Sequence, residues 1–332
     1  MSQATSIFGS WGRDSRLYER YTSKAVDELR TNERLRRAQS EWEQFFVNSH
    51  GDVFDDVDLE NPRESLFVDT LYYDFVVDQI IEFVEREFDL RVVNQEASDN
   101  TDALSFDFQS LHEAIVDTSS VEQRVDDLLD ASDLVDADSE FLRGLYESIV
   151  SREMRLQLGE YYTPRGVAEL SVGELDVEDY ESETFLDPGC GSGIFLSASI
   201  DAKREQLADT LPPAELVETI TDTVYGIDLN PVAVKSAKLS YLLALLPVLE
   251  EADIDDLELP VFLTDALRLT REDRIEFDGD SLDLGVDHLI GNPPWITWGN
   301  LSESVRDAWR ERYVDELKDR KSTRLNSSHY RT

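Results

Sequence analysis

Cysteine is almost missing from this chain. Cys190 stands alone, so an internal disulfide framework is impossible and a reducing, cytoplasmic setting is expected. Lysine is nearly as scarce, confined to Lys24, Lys203, Lys235, Lys238, Lys318 and Lys321. Positive charge of any kind is outnumbered: 31 Lys and Arg face 72 Asp and Glu, for a net charge of −41 and a pI near 4.2. No uninterrupted apolar run reaches the ~18 residues of a spanning helix, so no membrane partner is expected. The opening residues, MSQATSIFGSWGRDSR, lack the apolar stretch that follows a basic one in a secretory signal. There is no internal repeat. The first 150 residues hold no cluster of His, Cys and acids at ligand spacing, and no metal is expected anywhere.

What is present is acid, and it is spread over the whole chain. A nucleic-acid binder is ordinarily basic, because phosphate contacts supply most of its affinity. Either an acidic partner-binding surface or solvation in a very salty cytoplasm accounts for the excess. Few lysines against many arginines resembles the proteins of haloarchaea, where salt screens the self-repulsion that otherwise opposes a compact state. On that reading the charge says little against DNA. A length of 332 residues, 41% of them hydrophobic, is enough for a substantial core and two domains.

Residues 17–46 carry apolar and aromatic side chains near helical spacing, and the region around them is locally basic (Arg13, Arg16, Arg20, Lys24, Arg30, Arg34, Arg36, Arg37). A solvated helical face explains those charges better than contact with a DNA backbone. Residues 52–60 read as an acidic loop. Residues 66–90 are strongly apolar, too long for a strand and suited to a buried helix. After a polar break at 96–101, residues 121–150 are acidic and amphipathic. Residues 1–150 therefore read as a mainly helical N-terminal domain, and 151–320 as an α/β domain. The last twelve residues, KSTRLNSSHYRT, contain no acid. They resemble translated adapter sequence, so 321–332 is set aside as a non-native tail.

Chemistry is concentrated in the second half. In the run Glu160, Tyr161, Tyr162, Thr163, Pro164, Arg165, Thr163 is expected to cap a helix that begins at Pro164 and continues through Val167, Leu170 and Val172. Two tyrosines and an arginine crowd its N-terminus, where free N–H groups and the dipole favour a carboxylate. An apolar strand then ends in Asp187, and a turn of Pro188, Gly189, Cys190, Gly191, Ser192 and Gly193 leads into a helix. The glycines let the backbone pass close to a ligand. Their spacing is not G-x-G-x-x-G, and no Gly-Lys-Ser/Thr follows, so a pyrophosphate is disfavoured. A smaller adenosyl ligand with a charged amino-acid tail fits better.

A second strand, 224–228, ends in Asp228 and is followed by Leu229, Asn230, Pro231 and a long helix over 232–246. An acid there is placed to accept from ribose hydroxyls. It follows Asp187 at about twice the usual ~20-residue spacing, which a surface insertion within 201–223 explains. A third strand, 261–266, carries Asp265, which is placed to meet an adenine amino group. A fourth apolar run, 284–290, leads into Gly291, Asn292, Pro293, Pro294 and Trp295. The paired prolines fix φ and remove two donors, leaving a rigid loop. The Asn292 oxygen and a backbone carbonyl can take the two hydrogens of an exocyclic amino group while Trp295 stacks on the ring. Taken alone, the stretch reads better as an ordinary Pro-Pro turn at a strand end with a half-buried tryptophan. Alternating strands and helices predict an α/β fold, a doubly wound, mostly parallel sheet with the ligand above the strands' carboxyl ends.

These motifs in this order resemble those of adenine-specific (N6) DNA methyltransferases, and in particular type I modification subunits and single-chain restriction-modification methylases. The resemblance spans residues 158–295. It implies S-adenosylmethionine as cofactor, in a Rossmann-like methyltransferase domain. Tyr162, Thr163, Pro164 and the glycine turn would hold the methionine end, with Glu160, Tyr161 and Arg165 beside them. Asp187, Pro188, Gly189, Gly191, Ser192 and Gly193 form the turn; Asp228 and Leu229 would meet the ribose and Asp265 the adenine. Asn292, Pro293, Pro294 and Trp295 would receive an adenine flipped out of double-stranded DNA. A specificity or restriction subunit is an implied partner. Cys190 lies in the glycine turn rather than beside a catalytic proline, so packing is its expected role.

Two alternatives stay open: an N-methyltransferase acting on an RNA base or a protein glutamine amide, and a cofactor-binding remnant without activity. Nothing after Trp309 supplies the remaining strands or the recognition domain that the resemblance implies, so an incomplete chain, impaired in folding and activity, is expected. The composition yields the first prediction. If the acidity is haloadaptation, dilution from molar to ~0.01 M KCl lengthens the Debye length to ~30 Å and unfolds the protein by self-repulsion. A circular-dichroism spectrum indifferent to that dilution would instead point to acid kept for a partner.

Overall fold

The computed structural model describes residues 11–50, 61–93, 108–115, 139–150, 163–266, 269, 274–277, 280–293, 306, 307 and 310. Glu160, Tyr161, Tyr162, Pro294 and Trp295 lie outside them, as do the loops expected at 52–60 and 96–101 and the tail at 321–332.

The N-terminal part is helical, with one correction. The apolar spacing over 17–46 belongs to two helices, α1 (Arg16–Thr31) and α2 (Glu33–His50). Asn32 separates them: its Oδ1 accepts from the N–H of Arg34 and of Leu35, starting a new helix. Ser15 caps α1 through the N–H of Tyr18. The long helix α3 (Pro62–Phe88) begins with proline at its first position and is buried around almost its whole circumference. Its end is set by Asp89 in the left-handed region, at φ 51°. A short strand β1 (Arg91–Val93) and helices α4 (Gln109–Ile115) and α5 (Ser139–Ile149) complete this part.

Next come α6 (Arg165–Gly173), β2 (Phe185–Asp187), α7 (Ile194–Leu207), α8 (Pro213–Thr221), β3 (Val224–Asp228) and α9 (Pro231–Ala252). They are followed by β4 (Asp256–Glu258), β5 (Val261–Leu263), β6 (Arg274–Phe277), β7 (Asp280–Asp283) and β8 (His288–Leu289). The main sheet has the order β5–β3–β2–β8, and every pair is parallel. Sequential strands that are not all spatial neighbours put the carboxyl ends of β2 and β3 in the middle of one edge, with β5 and β8 flanking them.

Helices α7 and α9 cover one face of this sheet. Among the described residues, the other face is covered by apolar side chains around Ile275, Leu284 and Val286 rather than by a helix. The segment 201–223 is not the surface insertion that its length suggested. It finishes α7 and then forms α8, whose Leu216, Val217 and Ile220 are buried in the core. The fourth strand is shorter than the apolar run predicts, only His288–Leu289, and β6 pairs with β7 as an antiparallel hairpin that the sequence reading did not foresee.

Helix α9 is the core helix of the molecule. By length and composition it is apolar enough to cross a membrane, yet 72% of that apolar window is buried inside the protein. Lys235 and Lys238 interrupt the run, so no uninterrupted apolar stretch of ~18 residues occurs even here. One continuous apolar core joins α1–α5 to α7, α8, α9 and the sheet. The edge pairing β1–β4, parallel from Arg91↔Asp256 to Val93↔Glu258, ties the two parts together again.

Candidate functional site

The site is built where strands stop. β2 ends at Asp187, where a turn follows that places Gly191 and Gly193 at positive φ, and β3 ends at Asp228, where Asn230 and Pro231 start α9. Gly191 has φ +53° and Gly193 φ +85°. A Cβ on Gly193 would lie 2.9 Å from the Ala237 Cα, so α9 packs directly on the turn backbone. A Cβ on Gly191 would meet nothing within 4 Å. The turn faces open space at that position. The turn is pinned on both sides: Cys190 N–H donates to Ile227 O at 2.9 Å, Gly193 N–H to Cys190 O at 2.8 Å, and Ser240 Oγ to Ser192 O at 2.5 Å. Cys190 is buried and its thiol is pushed up by burial, with Asp228 and Asp187 adding to the rise, which leaves it inert.

Asp228 reaches across to the turn. Its Oδ2 accepts from Gly191 N–H at 2.9 Å and its Oδ1 from Asn230 N–H at 2.8 Å. Burial raises its pKa despite the opposing N–H groups of Asn230, Gly191 and Leu229. Asn230 then caps α9 by accepting from Val232 N–H at 3.0 Å, with Pro231 at the first helical position. Thr264 N–H donates to Asp228 O at 3.0 Å, which sets the half-buried Asp265 at the next strand end.

Asp187 is 2% exposed, and its Oδ1 accepts from Gly189 N–H at 3.1 Å. Burial pushes its carboxyl up to about 7; the Gly189 N–H opposes the rise and the charge of Asp228 adds to it. Ile290 N–H donates to Leu186 O at 3.0 Å, and this register lays Gly291 against Asp187. A Cβ on Gly291 would fall 2.3 Å from Asp187 Oδ1, so a side chain there displaces either the loop or the acid.

Asn292 comes next. Its Nδ2 donates to Thr163 Oγ1 at 3.1 Å, across 129 residues of chain. Thr163 does not cap α6. The N-cap is Pro164, whose carbonyl receives the N–H of Val167 and Ala168, and no side chain caps the helix. Thr163 lies one residue before the cap position, and its hydroxyl meets Asn292 instead. Arg165 bonds Glu169 at 2.6 Å and Asp201 at 3.1 Å, engaging carboxylates of α6 and α7. Pro188 and Pro293 are exposed, while Gly189, Ser192 and Leu229 are half-buried.

Thr163, Asp187, Gly191, Asp228, Asp265 and Asn292 are thus gathered at one edge of the sheet. Gly291, Ala237 and Ser240 belong with them and were not singled out from the sequence. Gly291 precedes the Asn-Pro-Pro run, which was its only signal; Ala237 and Ser240 are ordinary helix residues whose role exists only in contact.

With this geometry in view, the comparisons are decisive about family. The sequence model of the N-6 DNA Methylase family matches residues 138–325, more than half of the chain. The chain belongs to the N-6 DNA methylase family. This member is similar to the methylase subunit of the type I restriction enzyme EcoEI of Escherichia coli, with 27% identity over 153 residues, 46% of this chain and 26% of that protein. It is also similar to the methylase subunit of the type I restriction enzyme MjaIX of Methanocaldococcus jannaschii, with 27% identity over 137 residues, 41% of this chain and 19% of that protein. Among solved structures it is similar to the DrdV–DNA complex, with a TM-score of 0.51 and 16% identity over 80% of this chain and 26% of that one. At that identity the likeness bears on fold alone. The chain spans about a quarter or less of the length of these relatives.

Asp187 carries a pH prediction for this N-6 DNA methylase. Its folded pKa near 7 lies above the ~3.9 of an unfolded aspartate. The folded protein therefore holds this proton more tightly. The associated stability is complete below pH ~4 and is lost as pH rises through ~7. Asp187→Asn cannot ionise, so it is expected to match the wild type near pH 4 and exceed it at pH 8. The gain is on the order of a few kcal/mol, at ~1.4 kcal/mol for each tenfold change in proton affinity. Denaturant melts at both pH values measure it; an Asn variant less stable at pH 8 would mean that Asp187 has a cationic partner.

Proposed function

We propose that this chain is the cofactor-binding and base-binding part of a site-specific DNA methyltransferase. It moves a methyl group from S-adenosylmethionine to adenine N6 and works with a restriction or specificity partner. The observation that carries the reading is the Asn292–Thr163 hydrogen bond. It joins the last motif to the first at the strands' carboxyl ends, with Gly291 against Asp187. The proposed framework is a doubly wound, Rossmann-like domain over 151–320, preceded by a helical domain over 1–150 and followed by a tail at 321–332.

The residues present suit the cofactor. A Cβ on Gly191 would meet nothing within 4 Å, so the turn backbone leaves room for a ligand beside it. Asp187 and Asp228 are acids whose perturbing groups, among the described residues, include no cation, which suits a ligand with a sulfonium and an ammonium group. Tyr162, Thr163, Pro164 and the glycine turn would hold its methionine end, Asp228 its ribose and Asp265 its adenine amino group. When bound, the cofactor supplies an electrophilic methyl group.

This chain's own part is orientation. An Asn292 amide that donates through Nδ2 to Thr163 presents its Oδ1 as an acceptor. Oδ1 and the Pro293 carbonyl would take the two N6 hydrogens of an adenine flipped from the duplex, and Trp295 would stack on the ring. Acceptors in those places steer the nitrogen lone pair toward the methyl group and strengthen as N6 becomes positive. No general base of tuned pKa is required. The rigidity that two prolines impose keeps the acceptors in place without reorganisation.

Two experiments test the reading. Calorimetry in molar KCl is expected to show binding of S-adenosylmethionine and none of NAD, with binding lost in Asp228→Ala. NAD bound as tightly, or an unchanged affinity in the variant, refutes the cofactor assignment. Radiolabelled methyl transfer to DNA, RNA and protein identifies the acceptor, and DNA is expected. In an enzyme extended to the length of its relatives, Asn292→Ala is expected to lower turnover by ~100-fold or more, the usual loss for a transition-state hydrogen bond. Cofactor affinity and melting temperature should move little. A variant that melts early but methylates normally would make the loop a structural turn only.

A further inference from the structure

Away from the site, a buried ionic network joins the N-terminal helices to α9. Lys235, on α9, places Nζ 2.7 Å from Asp74 Oδ1 and 2.7 Å from Asp78 Oδ1, two acids one turn apart on α3. His112 of α4 holds the other oxygen of Asp74 at 2.8 Å, and Tyr21 of α1 holds His112 Nδ1 at 2.6 Å. The three groups Asp74, Asp78 and His112 converge as the ligands of a cation would, and the Lys235 ammonium already fills that role. Asp74 feels burial most strongly, but Lys235 and His112 outweigh it and hold its carboxyl below the usual range. Burial and the Asp74 charge push Asp78 up to about 6. Next to the bridge, Ser236 Oγ and Tyr73 OH are hydrogen bonded at 2.9 Å.

The place of Lys235 along α9 gives the network its meaning. At about 100° per residue, Lys235 and the pair Ala237 and Ser240 lie on opposite sides of the helix. Ala237 and Ser240 touch the glycine turn, and Asn230, at the start of the helix, holds Asp228. The first three turns of α9 are therefore clamped between α3 on one side and both ligand-facing loops on the other. Apolar contact would hold α3 on α9 as firmly, but it tolerates sliding; two charge-assisted bonds from one ammonium define a single seat.

We propose that Lys235, through Asp74 and Asp78, is a positioning residue that sets the seat of α9 and so the spacing between the Gly191–Gly193 turn and Asp228. The N-terminal helices thereby tune cofactor affinity. This rests on the reading of the site as one for S-adenosylmethionine, and the test separates the two.

The full chain in molar KCl is compared with Lys235→Met, with the charge-neutral Asp74→Asn/Asp78→Asn/Lys235→Met, and with Arg13→Met. The last removes another ion pair of the helical region, Arg13–Asp69, which does not involve α9. The readouts are the Kd for S-adenosylmethionine by calorimetry, amide exchange at Gly191 and Gly193, and the melting temperature. Both Lys235 variants are expected to weaken binding by ~10-fold or more and to speed exchange at the two glycines. Arg13→Met should lower the melting temperature with no change in either. If Lys235→Met fails to fold, the neutral triple variant carries the test, because it leaves no unpaired charge. Wild-type affinity in the Lys235 variants, or an equal loss in Arg13→Met, overturns the proposal. A wild type that does not bind S-adenosylmethionine refutes the cofactor reading instead, and glycine exchange alone then decides the positioning role.

Discussion

The structure depends on the burial of one helix on all sides. α9 has the sheet beneath it, α7 and α8 beside it and α3 above it, and Leu239, Tyr241, Leu242, Leu245 and Leu246 are closed to solvent. Burial of that much apolar surface is the largest favourable contribution available to a protein of this composition. It also holds the helix against the sheet and the helices around it. The backbone of the glycine turn lies against Ala237 and its Ser192 carbonyl receives Ser240, so the turn inherits the position of the helix. Site geometry here is a by-product of core packing.

Against that apolar background the acids divide into two kinds. Most of the acidic excess is on the surface, where water and salt screen it. Asp187 and Asp228 are enclosed at strand ends with backbone N–H groups as their named partners. Such groups cost stability in the empty protein, and sites that bind charged ligands characteristically carry that cost. Asp74 and Asp78 are the contrasting case: each has an oxygen 2.7 Å from the Lys235 ammonium, a cation that the chain itself supplies. The same residue type thus meets backbone N–H groups in one place and a cation of the chain itself in the other.

The Asn292–Thr163 bond has a related logic. A loop stiffened by two prolines holds its shape but has no sheet ladder to fix its location. Gly291 fixes it on one side by lying flush against Asp187, and Thr163 fixes it on the other. The helix start at Pro164 has no side-chain cap.

Much of this was legible in the sequence. The amphipathic and apolar spacings located α1, α3, α7 and α9, because periodicity reports which face is buried. Asp187 with its glycines, Asp228 before Asn-Pro, and Asn292 before two prolines marked strand ends, because only certain residues tolerate those backbone conformations. The family follows from the order of those marks. Other features had no local signal. The segment 201–223 reads as an insertion until α8 is seen packing on α9, and Thr163 reads as a cap until Asn292 takes its hydroxyl. Lys235 reads as one more charge on a long helix until α3 brings two acids to it. Local chemistry is written along the chain. Which partner satisfies a given hydroxyl or ammonium is decided by contacts between residues 50 to 160 positions apart, and only packing of the whole core selects them.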